Sequence, residues 1–288
     1  MKPESPGRHF FTVDVEEHFQ VSAFEHVVAR DDWPRLESRV ERNVDVLLDL
    51  LARQATVGTF FVLGCVAERR PELVRRIAAA GHEVASHGHD HRRVLEQTPA
   101  QFRQSLRRSK LVLEEATGRA VLGFRAPSFS IVPGTEWAFD VLLEEGFRYD
   151  SSLFPIRRSA RYGYPSSPRR PHWIERPAGR LLELPLTTRR WVAWNLPASG
   201  GAYFRIFPYS VTHAAFSECE LHGVRGVFYV HPWEVDPEQP RIAAPIGARI
   251  RHYWGLTHTA DRLRRILADF SFGSVADYLT TAEAACTP

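Results

Sequence analysis

The stretch Gly81-His82-Glu83-Val84-Ala85-Ser86-His87-Gly88-His89-Asp90-His91 constrains this chain more than any other. A short apolar piece runs directly into histidines at 87, 89 and 91, and residues i, i+2 and i+4 of an extended segment share one face. If the strand instead stops near Ser86 and the chain turns at Gly88, His87 and His91 converge from a loop. Both readings gather imidazoles, the commonest metal ligands, where a strand ends. Two histidines do not complete a site. A divalent ion also takes a carboxylate and keeps one position for water.

Upstream, His9-Phe10-Phe11-Thr12-Val13-Asp14-Val15-Glu16-Glu17-His18 is a second short apolar strand, and it closes in acids. Side by side in a parallel sheet, the two strand ends would bring carboxylates to imidazoles. Further along, apolar strands alternate with helical periodicity. Leu36 to Leu51 repeats at helical spacing, Thr59–Leu63 is strand-like, Pro71–Ala80 helical, and Thr98-Pro99-Ala100-Gln101 opens a helix that Gly118 stops. Strands are expected at 121–124, 147–150 and 227–230. A helix is expected over 136–145, a hairpin near Leu181 to Leu186 and a glycine turn at Ser199-Gly200-Gly201. Two tail helices follow, near 260–269 and 275–284. This alternation predicts a parallel α/β core. Asp14, His87, Arg125, Asp150 and His231 fall at strand C-termini, where α/β barrels place their sites.

Composition narrows the function. A 44% apolar, 25% charged chain of 288 residues with net charge +3 is an ordinary globular protein. Its arginine pairs are dispersed, which argues against a nucleic-acid partner. Cys65, Cys219 and Cys286 lack any CxxC spacing, so neither a disulfide framework nor a cysteine-ligated zinc is expected. With no signal-peptide core at Met1–Arg8 and no run of 18 apolar residues, a cytoplasmic protein without a transmembrane segment is expected. Oligomeric state is not legible.

Val13-Asp14-Val15-Glu16, His87-Gly88-His89-Asp90-His91, Phe124-Arg125-Ala126-Pro127 and Val230-His231-Pro232 stand in an order that resembles the polysaccharide deacetylase family, NodB-type, carbohydrate esterase family 4. The His-Pro-Trp-Glu segment at 231–234 is similar to the branch found in exopolysaccharide loci with PEP-CTERM sorting. The resemblance implies a distorted barrel of about seven strands. It implies one domain over 1–288, with a core at about 8–235 and a helical C-terminal extension at about 236–288.

It also implies a metal-dependent hydrolase that removes N-acetyl groups from the amino sugars of a surface polysaccharide or its precursor. Zinc is the default metal, with nickel, cobalt or manganese as alternatives. Asp14 is then the base, held by Arg125. His231 is the acid, held by Asp150, and His87 and His91 bind metal, with His89 outside the ligand set. The family's second aspartate is replaced by Val15. Glu16, on the same strand face as Asp14, is therefore chosen as third ligand over Glu17. Ser128 would supply the oxyanion N–H and Phe129 the wall beside it. Two other readings are hydrolysis of another C–N bond, such as a cyclic imide or ureide, and a non-catalytic glycan-binding module.

Overall fold

The computed structural model describes residues 7–157, 159 and 162–284. Cys286 and the first six residues lie outside that range. The strands are β1 (His9–Val15), β2 (Thr59–Val62), β3 (Glu83–Ser86), β4 (Gly123–Phe124), β5 (Tyr149–Asp150), β6 (His172–Arg176), β7 (Gly179–Glu183), β8 (Thr188–Trp191), β9 (Trp194–Pro197), β10 (Val227–Val230) and β11 (Phe272–Gly273). The main sheet runs β10-β1-β2-β3-β4-β5-β7-β6. Every neighbouring pair from β10 to β7 is parallel, and β6 closes the edge antiparallel to β7. The sheet curls with helices packed outside it, a distorted (β/α)7-type barrel left open.

Local chemistry accounts for the elements. β1 and β2 are buried throughout, as parallel strands covered on both faces must be. The helix Val40–Arg53 turns Val40, Val44, Leu47 and Leu51 inward at helical spacing. Over Pro99–Thr117 the expected capping box is present. Thr98 Oγ1 accepts from the Gln101 N–H, Gln101 accepts from the Thr98 N–H, and Gly118 ends the helix at φ 65°.

The region after residue 157 departs from expectation. The hairpin centres earlier, pairing His172–Arg176 with Gly179–Glu183, and β8 and β9 form a second, separate two-stranded sheet. Three helices, Gly201–Ile206, Tyr209–Leu221 and Ile246–Tyr253, were not evident from periodicity. The tail does not stand apart from the core, since β11 pairs with His9 and Phe10 of β1. No helix is long and apolar enough to cross a membrane among the described residues.

Candidate active site

Because β1, β2 and β3 are parallel and in register at Asp14↔Phe61 and Phe61↔Ala85, the chain beyond β1 and beyond β3 emerges at the same end of the sheet. There Glu16, His87 and His91 each offer one ligand atom, all within 4.8 Å of one another, and all three residues are buried. The histidines approach from a loop, not from a strand face. Gly88 turns at φ 75° and His91 itself is left-handed at φ 56°. The loop is clamped: Gly64 N–H donates to Gly88 O (2.9 Å), Cys65 N–H to His89 O (2.8 Å) and Arg30 Nε to Asp90 O (3.0 Å).

The donor set fits a divalent cation. His87 Nδ1 lies 2.8 Å from the Arg125 carbonyl. A carbonyl only accepts, so Nδ1 carries the proton and Nε2 keeps its lone pair, as a histidine ligand requires. Burial holds the His87 pKa down at about 4, with Asp14 opposing, so the ring is neutral. Glu16 Oε2 is 2.9 Å from His91 Nε2. Burial alone would raise the Glu16 pKa, but His91, His231 and His87 bring it down to about 2, so it is a carboxylate. Glu17 points elsewhere. Its carboxylate accepts from Ser38 Oγ and from the Arg39 N–H (3.0 Å) just before the helix Val40–Arg53. His89 leaves the site too, with Nε2 3.7 Å from Glu68.

Beside this cluster stand two charged pairs. Arg125 is wholly buried and donates from Nη1 to Asp14 Oδ1 (2.7 Å) and to Thr12 Oγ1 (2.7 Å). Its Nε and Nη2 are held by the carbonyl and hydroxyl of Ser151, at 3.0 and 2.8 Å. The planar fork is thus fixed on three sides, and it fixes the Asp14 carboxylate. Next to it, His231 Nε2 lies 3.6 Å from Glu16 Oε1 and 4.0 Å from Asp14 Oδ2. Burial disfavours its charge, yet Glu16, Glu234 and Asp14 together raise its pKa to about 9.

Asp150 does not hold His231. It accepts from Ser152 Oγ (2.6 Å) and from the Ser152 N–H (3.2 Å), and in the sheet it pairs with Glu183. Two carboxyls buried this closely cannot both ionise. Burial raises the Asp150 pKa to about 6, and burial and Asp150 raise that of Glu183 further. The Ser152 hydroxyl in turn accepts from the Ala126 N–H (2.8 Å), so Asp150 supports the backbone that presents Arg125. The partner of His231 is Glu234, whose Oε1 is 2.7 Å from Nδ1. Glu234 Oε2 accepts from Arg205 Nε (2.6 Å), and Arg205 is itself held by the carbonyls of His252 and Trp254, at 2.8 and 2.5 Å. Trp233 donates from Nε1 to Glu16 Oε1 (3.2 Å) and stacks between His231 and His252. Glu234 and Trp233 were within reach of the sequence, standing immediately after His231 in His-Pro-Trp-Glu. Arg205 carried no signal.

Asp14, Glu16, His87, His91, His231, Trp233, Arg205 and His252 line one cavity of about 470 Å³, together with Ser128 and Phe129. Both of the latter have left-handed backbones, at φ 56° and 54°. Such strain in consecutive non-glycine residues is found where function fixes the chain. The Phe129 N–H donates to Ala126 O (2.9 Å), leaving the Ser128 N–H as the candidate oxyanion donor. Phe129 is the wall, edge-on to Tyr229 at 4.9 Å.

Residues 27–138 match the family model described as polysaccharide deacetylase, and residues 151–280 match one described as a domain of unknown function, DUF3473. The first match contains His87, His91 and Arg125, and the second His231, Glu234 and Arg205. Asp14 and Glu16 precede both. A peptidoglycan deacetylase of Helicobacter pylori is 33% identical over 123 residues, 43% of this chain and 41% of that protein, so the chain spans less than half of that relative's length. Among solved structures, a Mycobacterium smegmatis protein assigned as a polysaccharide deacetylase superposes with a TM-score of 0.66 at 21% identity, covering 99% of this chain and 94% of that one. An allantoinase superposes with the same TM-score at 17% identity, covering 99% and 94%. These likenesses establish the fold. With the matched family model, they show that the chain carries, over residues 27–138, a polysaccharide deacetylase domain of the NodB type, carbohydrate esterase family 4.

Proposed function

We propose that this protein is a metal-dependent hydrolase that removes N-acetyl groups from amino sugars of a surface or extracellular polysaccharide or its precursor. One observation carries the reading: a carboxylate fixed by a buried arginine and a histidine held by a buried glutamate stand 4.0 Å apart beside the Glu16, His87, His91 cluster. An amide carbonyl is a poor electrophile, and its hydrolysis needs a base, an oxyanion donor and an acid for the departing nitrogen. A divalent metal held by Glu16, His87 and His91 would acidify water and polarise the carbonyl.

Asp14 takes the proton of the attacking water as its oxygen bonds to the carbonyl carbon, while Arg125 keeps Oδ1 in place and Oδ2 free. The Ser128 N–H receives the developing oxyanion. His231 then gives its proton to the nitrogen as the C–N bond breaks, yielding acetate and a free amine. The base and the acid are each worth ~10²–10⁴-fold in rate. Zinc suits two imidazoles and a carboxylate, and nickel, cobalt or manganese take similar ligands. The exopolysaccharide-locus branch is part of this reading, supported by His-Pro-Trp-Glu supplying Trp233 to Glu16 and Glu234 to His231. So is a cytoplasmic setting, supported by the free thiols of Cys65 and Cys219.

The test is release of acetate and amine from N-acetylated oligosaccharides with zinc present. Asp14→Asn should abolish it with metal still bound, and surviving turnover would remove Asp14 as the base. A cavity of about 470 Å³ also suits a small cyclic ureide or imide, so such a substrate belongs in the same assay. Bound metal without turnover of any substrate would favour a glycan-binding module.

A further inference from the structure

Among the described residues two guanidinium groups line the cavity, those of Arg205 and Arg251. Their situations differ. Arg205 is buried, and Glu234 with backbone carbonyls takes up its donors. Arg251, on the helix Ile246–Tyr253 at the cavity mouth, donates from Nη2 to the Tyr162 hydroxyl at 3.3 Å, and no carboxylate lies within 4.0 Å of it among the described residues. The Tyr162 hydroxyl is 2.7 Å from that of Tyr203, so the three polar tips form one cluster on the cavity wall. The surrounding segment keeps one sign. Residues 241–260 carry Arg241, Arg249 and Arg251 and no Asp or Glu.

We propose that Arg251, with Tyr162 and Tyr203, forms an anion subsite, and that the preferred substrate is an acetamido sugar that bears or adjoins a carboxylate or phosphate. The inference rests on the deacetylase reading of the same cavity. A guanidinium fork matches the paired oxygens of a carboxylate or phosphate, and such charge-assisted hydrogen bonds are about twice as strong as neutral ones. Beside it, the hydroxyl pair can donate one more hydrogen bond to the same anion. The wall between this cluster and His231 is aromatic, with Phe154 stacked on Tyr162 and Tyr229 edge-on to His231. A neutral glycan would leave the guanidinium without a counter-ion, so discrimination on the order of 10–100-fold is expected.

Calorimetric titration of the metal-loaded protein tests this with N-acetylglucosamine, N-acetylglucosamine 1-phosphate and N-acetylmuramate as probes. The two charged sugars separate phosphate from carboxylate as the source of the anion. At least one should bind about 10-fold or more tighter than the neutral sugar. Arg251→Leu should erase that ratio and Arg251→Lys restore part of it. Equal binding of all three, no measurable binding of any, or a preference that survives in Arg251→Leu would overturn the subsite. Acetate release from the neutral sugar's oligomers, measured in parallel, separates the two failures. Turnover without an anion preference sinks only the subsite, and an Arg251-dependent preference without turnover sinks only the deacetylase reading.

Discussion

Glu234 Oε1 stands 2.7 Å from Nδ1 of His231, three residues before it in the chain. The short helical turn Pro232–Val235 creates this contact, and the Glu234 carboxylate also accepts from the His231 N–H (3.0 Å), fixing ring and backbone together. Glu234→Gln keeps the shape and removes the charge. It should lower kcat about 10–100-fold, out of the ~10²–10⁴ that a general acid contributes, with a smaller change in KM. Asp150→Asn should lower stability without that selective loss of kcat. Steady-state kinetics and thermal unfolding on both variants check this, and a kcat loss in Asp150→Asn matching that of Glu234→Gln would restore Asp150 as the histidine's partner.

Trp233 reaches the candidate metal site through one hydrogen bond, from Nε1 to Glu16 Oε1. Trp233→Phe preserves the stacking between His231 and His252 and deletes the donor. Outer hydrogen bonds to ligands are typically worth 10–100-fold in metal affinity, so zinc affinity should fall by about that factor. Competition against a chromogenic chelator measures it. Unchanged affinity would mean that Glu16 is oriented by the histidines alone.

Chelation should act on the fold as well as on activity. Glu16 and His91 are buried, with Oε2 and Nε2 2.9 Å apart. A ligand present at 100 times its dissociation constant stabilises the folded state by about 2.7 kcal/mol. Removing the metal should therefore lower the unfolding midpoint reversibly, and Glu16→Gln should show no further response to chelator. Calorimetry with and without added zinc separates these cases.

The parts of the site legible in the sequence share one property: they sit where a hydrophobic period stops. Asp14, Glu16, His87, Arg125 and His231 follow runs whose burial forces them to a strand end, and parallel register then brings those ends together. Glu16 separates from Glu17 for the same reason, because alternate side chains of an extended segment face opposite ways. Asp150 met the same criterion and misled. It ends β5, but its neighbour in the sheet is Glu183, and which strand lies beside which is not a local property. Arg205 was out of reach because the helix Gly201–Ile206 is six residues long, too short for periodicity to declare itself.

Acid should weaken the fold through histidines far from the site. His82 Nδ1 accepts from the Gly58 N–H (3.1 Å), and burial lowers its pKa from 6.5 to about 4. His9 Nδ1 accepts from the Gly226 N–H (2.9 Å), and burial followed by the charge of Arg225 lowers its pKa to about 4 as well. Both rings fold neutral. Above pH 6.5 they are neutral in the unfolded chain too, and their contribution is complete. As pH falls towards 4 the unfolded chain takes up protons that the folded one refuses, so stability is lost across that window. The limit is about 3 kcal/mol per ring. Urea unfolding between pH 4 and 7.5 should show this slope, and His82→Asn should reduce it by about one proton. A slope unchanged in His82→Asn would show that ring to be charged in the folded state.

Gly200 links the second half of the chain to the acid arm of the site. It lies at φ 149°, and a Cβ there would fall 1.8 Å from the carbonyl oxygen of Tyr229 on β10. The close approach lets Tyr229 N–H donate to Ser199 O (2.8 Å) and starts the helix that carries Arg205 to Glu234. Gly200→Ala cannot be absorbed by a flexible side chain, because the obstacle is backbone. It should cost about 3 kcal/mol or more of stability. The strain should be relieved by moving 201–206 away from β10, which withdraws Arg205 from Glu234 and leaves His231 poorly held. Folded Gly200→Ala should therefore lose kcat as Glu234→Gln does while still binding zinc normally through Glu16, His87 and His91. Urea unfolding, kinetics and metal titration on one preparation test the three parts together. A variant within about 1 kcal/mol of the parent would show that the Tyr229 contact yields, and that this segment does not hold the acid arm in place.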